Sequence, residues 1–179
     1  MALNAANTLE AFVDRLSRNS EIMNILKLPT IRDSDTDTVK NKKRKLLIDK
    51  VISKTAQVPQ ELGKDFPEVT INNIKYKGYG KIRITVAFAA SIKMNSYLFG
   101  NPQVEINVYY DNTNMDNVLK LFDLISDEFS GQDIEIKINN ESGILKQLKC
   151  QGITAQVAII NNYERVGIRF SYYATVYKN

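Results

Sequence analysis

The densest group of chemistry-bearing side chains is cationic. Lys40, Lys42, Lys43, Arg44 and Lys45 fall within six residues, and Lys50 and Lys54 follow. Cations at that density can neutralise several phosphates, with counterion release making the contact salt-dependent. The run carries no interleaved aromatics for base stacking and matches no DNA-reading motif, so it also reads as a solvated or subunit-contacting helix start. Catalytic equipment is sparse. The chain has no histidine, which removes the commonest general base, every Ser-His-Asp or Cys-His arrangement and most zinc sites. Cys150 sits at the edge of an apolar stretch and reads as a packing residue. Asp33, Asp35 and Asp37 imitate the first ligands of a calcium loop. Thr38, however, stands at the glycine position and Arg44 where a bidentate glutamate belongs, so the segment reads as a solvated acidic loop. Gly78-Tyr79-Gly80-Lys81 lacks the spacing of a P-loop or a dinucleotide fingerprint and reads as a turn. Asp116, Asp123, Asp127 and Glu128 lie largely on the polar side of a helix, where carboxylates serve solubility. These residues assign no catalytic group, cofactor or metal, and the expectation is a protein that is not an enzyme.

The elements that position these side chains are read from periodicity. Val104, Ile106, Val108 and Tyr110 alternate with Glu105, Asn107, Tyr109 and Asp111, as in a strand with one buried face. Thr113 is placed to cap a following helix whose stripe is Met115, Val118, Leu119, Phe122, Ile125 and Phe129. Asn7 or Thr8 opens an earlier helix with a stripe of Leu9, Phe12, Val13, Leu16, Ile22, Ile25 and Leu26, interrupted around Asn19 and Ser20. Residues 31–67 mix acidic, basic and proline-containing stretches and read as an inserted, partly helical arm projecting from the sheet. VTINNIKYK reads as one strand, and Ile82 to Ile92 as an unusually long one. IEIKI, ITAQVAII and RVGIRFSYYATVYK follow, with Asn161 and Asn162 as the hairpin turn before the last. The predicted fold is one α+β domain over 1–179, a mainly antiparallel sheet flanked by helices. Strand order is not readable.

Composition sets outer bounds. The length of 179 residues suits a single core, one cysteine allows no internal disulfide, and the net charge of +4 is mild. The N-terminus has no basic start or apolar run, so no signal peptide is expected, and no stretch reaches the length of a membrane span. On the final strand Arg169, Tyr173 and Tyr177 face away from Val166, Ile168, Phe170 and Tyr172. With Tyr109, these outward groups suit either a second core or a subunit interface.

In this order the elements resemble the tail terminator, or tail completion, proteins of tailed bacteriophages and related contractile particles. TLEAFVDRLSRNSEIMNIL, the strand VEINVYYDN running into MDNVLKLFDLISDEF, and YERVGIRFSYYATVYK carry the resemblance. It covers most of the chain apart from 31–67. The resemblance implies a compact α+β subunit of a ring, typically of six subunits, that caps the tail tube and joins it to the head side of the neck, with tail tube and neck or connector proteins as partners. It places the protein in the virion after synthesis in the host cytoplasm. On that reading Lys40, Lys42, Lys43, Arg44 and Lys45 face DNA in a lumen, and Tyr109, Arg169, Tyr173 and Tyr177 face a neighbouring subunit. The alternative is a non-sequence-specific nucleic-acid-binding module whose site is the Lys40 to Lys54 helix.

Overall fold

Helical periodicity opens the chain and a single asparagine interrupts it. The computed structural model describes residues 5–77, 81–89, 102–138, 141–154, 156–160 and 162–177. Helix α1 (Ala5–Arg18) gives way to α2 (Ser20–Ile25) at Asn19. The side-chain oxygen of Asn19 accepts from the backbone N–H groups of Glu21 and Ile22, both at 3.1 Å, and so caps α2. Lys27 then takes a left-handed φ of 53° and turns the chain.

Residues 31–67 do not project. Thr36 caps α3 (Asp37–Lys43), which continues as a π-helical stretch (Arg44–Ile48), the short α4 (Asp49–Val51) and strand β1 (Ile52–Ser53). Leu47, Ile48, Val51 and Ile52 are buried in the common core, and β1 pairs in parallel with β4 (Ile82–Phe88). The expected arm is therefore seated on the sheet through its middle. The polar ends of the segment hide this, because apolar residues at 47, 48, 51 and 52 form only a short stripe.

VTINNIKYK is a hairpin and not a single strand. Strands β2 (Val69–Ile71) and β3 (Ile74–Tyr76) pair across Asn72 and Asn73, whose φ values of 51° and 63° are those of a tight hairpin turn. Of the long strand expected from Ile82 to Ile92, β4 accounts for Ile82–Phe88; Ile92 lies outside the described residues, as do Gly78, Tyr79 and Gly80.

Strand β5 (Gln103–Asp111) leads into a 3-10 turn (Asn112–Asn114) and α5 (Met115–Phe129). Thr113 does not cap α5, whose N-cap position is Asn114; Asp111 caps the 3-10 turn before it, its carboxylate accepting from the backbone N–H of Thr113 at 3.1 Å and from the Thr113 hydroxyl at 2.5 Å. The buried stripe of α5 is Val118, Leu121, Phe122, Ile125 and Phe129, whereas Leu119 is 55% exposed. Burying each such side chain contributes about 1.5–3 kcal/mol. Phe129 stacks on Phe12 of α1 at 4.9 Å between centroids and meets Phe170 at 5.4 Å, so both helices cover the same face of the sheet.

Strands β6 (Ile134–Ile138), β7 (Glu141–Ile153), β8 (Val157–Ile160) and β9 (Tyr163–Tyr177) complete it. Asn162, with φ 67°, lies in the connection between β8 and β9, and Asn161 lies outside the described residues. The fold is α+β, and its main sheet runs β1-β4-β5-β9-β7-β6 with β8 added to β9, antiparallel except at β1.

Candidate functional site: the second face of the sheet

Alternation sends one set of side chains from β4, β5 and β9 into the core and the other set to the opposite face, in rows fixed by register. Arg83, Tyr109 and Arg165 form the first row, Thr85, Asn107 and Gly167 the second, and Ala87, Glu105 and Arg169 the third. A sheet face of this composition is expected to meet water. Here Arg83, Thr85, Glu105, Asn107 and Tyr109 are all buried.

Each row has its own chemistry. In the third, Arg169 Nε donates to Glu105 Oε2 at 3.0 Å. In the second, Gly167 N–H donates to the Thr154 hydroxyl at 2.8 Å while Thr154 N–H donates to Gly167 O at 2.7 Å. A Cβ at Gly167 would stand 2.7 Å from side-chain oxygens of Asn107, Glu105 and Thr154, so only glycine admits this convergence. In the first, Arg83 donates to the backbone oxygens of Lys64 at 2.9 Å and Glu61 at 3.3 Å, with its guanidinium 4.3 Å from the Phe66 ring. Burial pushes the Arg83 pKa down, opposed by Tyr163, Glu61 and Asp65. Thr85 Oγ1, Asn107 Oδ1 and Arg165 Nε are buried without a hydrogen-bond partner.

The interface candidates are thereby separated. Tyr109 is 1% exposed and lies between Arg83 and Arg165, so it is a buried residue of this chain and offers no surface for an interface. Arg169 is half-buried against Glu105. Tyr173 is 54% exposed, and the side chain of Tyr177 lies outside the described residues. Neither Arg83 nor Gly167 is marked by a motif. The usable signals were an arginine inside the alternating run of β4 and a glycine inside that of β9.

The basic run is divided as well. Lys43 is 6% exposed, donating to Asp35 at 2.6 Å and to the Thr30 carbonyl at 2.8 Å. Arg44 is held by Glu10 at 2.5 Å and Asp49 at 3.0 Å. These two cations are committed to ion pairs within the fold. Lys42 and Lys45 are exposed and Lys40 half-exposed. The acidic loop is occupied by ion pairs too, Asp35 with Lys43 and Asp33 with Arg18. Among the described residues no group of three or more His, Cys, Asp or Glu side chains is placed to hold a metal, and no helix is long and apolar enough to cross a membrane. Cys150 is partly buried against the core.

Comparison with protein-family models, with curated proteins and with solved structures found no match to this chain.

Proposed function

We propose that this chain is a structural assembly subunit of a phage or phage-like particle, not an enzyme. It forms a homo-oligomeric ring at the neck that caps the tail tube and joins it to the head side. The observation that carries this reading is the far end of β9. Its first part pairs with β5 up to Ser171, but Tyr173–Tyr177 pair with β7 alone among the described residues, and Tyr173 stands exposed there. Among the described residues no strand pairs with the other side of this stretch, and a strand edge beside an exposed aromatic is a template for another chain. One heterologous contact repeated around an axis closes a ring. The order of elements that resembles tail terminators supports the same reading, with tail tube and connector proteins as partners and the virion as location. Light scattering over a range of concentrations, with electron micrographs of the same sample, tests it. Closed rings are expected; a persistent monomer that binds DNA tightly and salt-sensitively would overturn it.

A second reading, non-specific nucleic-acid binding through the basic helix, is favoured by one observation. Lys40, Lys42 and Lys45 have no ion pair among the described residues. Replacing these three with glutamine, leaving Lys43 and Arg44 to the fold, should reduce the salt slope of duplex binding by about 3 if each meets one phosphate.

A further inference from the structure

We propose that residues 54–68 form a detachable strap over the second face of the sheet, one that opens while the rest of the chain stays folded and uncovers the row Arg83, Tyr109, Arg165. The strap crosses the sheet from Arg83 on β4 to Tyr163 on β9. Arg83 binds the backbone oxygens of Glu61 and Lys64, and a Cβ at Gly63 would stand 2.7 Å from the Tyr163 hydroxyl. Tyr109 lies on the strand between them.

Three features make the closed state weakly held. Between Ile52 and Ile71 the strap contributes a single buried side chain, Phe66, whereas the preceding stretch buries Leu47, Ile48, Val51 and Ile52. Its backbone joins no strand, and its ion pairs, Lys54 with Glu10, Asp65 with Lys77 and Glu68 with Lys75, are exposed or partly exposed. What lies on the covered face is polar. Thr85 Oγ1, Asn107 Oδ1 and Arg165 Nε lack partners there, so hydration on opening is favourable for them, where an apolar face would resist it. Few apolar contacts and poor backbone pairing are the marks of a segment that opens locally. The inference does not depend on ring assembly, and either can fail without the other.

Tyr109 and Tyr110 supply an internal control. They are adjacent, both 1% exposed, and face opposite sides of the sheet, Tyr110 into the core. Hydroxyl-radical footprinting with tandem mass spectrometry distinguishes them. It also avoids phenolate chemistry, which would be biased by Tyr110, whose pKa is pushed up to about 12 by burial and by Glu164. In the full chain under native conditions Tyr109 should be oxidised at least about tenfold faster than Tyr110, since only local opening reaches it. Gly63→Ala, strained at φ +81° and crowded by Tyr163, and Arg83→Met, which removes the anchor, should each raise Tyr109 oxidation and leave Tyr110 unchanged. Should Arg83→Met fail to fold, Gly63→Ala carries the comparison alone. Equal oxidation of the two tyrosines in the parent chain, or strap variants that leave Tyr109 unchanged or raise both together, would overturn the proposal.

Discussion

Gly167 holds the polar face together because three side-chain oxygens converge where its Cβ would be. Gly167→Ala must move Asn107, Glu105 and Thr154, of which Glu105 is held by Arg169 and Thr154 by the backbone of residue 167. Overpacking of this kind costs about 1–3 kcal/mol. Urea unfolding should show a lowered midpoint with an unchanged slope. Lys43 tests a different quantity, a buried charge with a defined partner. Lys43→Ala removes the cation from Asp35, which keeps only the Arg32 N–H, and the side-chain donor from the Thr30 carbonyl, a loss of about 2–4 kcal/mol. The pair also sets a pH dependence. The hydrogen bond from Lys43, then that from the Arg32 N–H, holds Asp35 below its ordinary value of 3.8. A carboxylate whose folded pKa is depressed contributes stability above its unfolded pKa and loses it as pH falls through the folded one. Thermal melts taken downward from pH 5 should therefore show the parent chain and Asp35→Asn beginning to converge as the pH falls below 3.8, and meeting only below the lowered folded pKa of Asp35. A difference that persists at the acid end would show that the pair is not its source.

Elements with a strong period were legible in the sequence, and those defined by remote partners were not. The alternation of β5, the break at Asn19 and the existence of α5 followed from local pattern. The exact stripe of α5 did not: Leu119 and Leu121 flank the apolar arc at nearly equal angles, and only the position of the sheet selects Leu121 for the core. The segment 31–67 misled because its charges looked solvated. Lys43, Arg44 and Lys54 find Asp35, Thr30 and Glu10, partners that a run of lysines does not announce. The polar second face was equally hidden, since alternation marks a side chain as outward without saying that another segment lies over it. Leu47 distinguishes the seated segment from a projecting arm. Leu47→Ala should cost about 2–5 kcal/mol, comparable with Ile106→Ala in β5. Leu119→Ala, which pattern alone would rank with Phe122, should stay within about 0.5 kcal/mol. A near-zero effect at Leu47 in chemical denaturation would restore the arm.

At the scale of the whole molecule the sheet has one apolar face under α1 and α5 and one polar face partly closed by 54–68, and at the far end of β9, which among the described residues pairs with β7 alone, Tyr173 is exposed. Tyr109 and Tyr173, indistinguishable by alternation, are thereby given different work. Tyr109 is buried within its own chain, so its truncation acts on folding: Tyr109→Ala should lower stability by about 3 kcal/mol whether or not the chain assembles. Tyr173 contributes little to its own fold, so Tyr173→Ser should leave the unfolding midpoint within about 0.5 kcal/mol of the parent. If the edge of β9 is the ring contact, the same substitution removes an exposed aromatic from every interface at once, and closure multiplies the loss because each subunit uses the contact twice. Light scattering should then show Tyr173→Ser shifted to smaller species at concentrations where the parent forms rings. A variant that assembles as the parent does would move the subunit contact away from β9, and one that unfolds as Tyr109→Ala does would make Tyr173 part of the core.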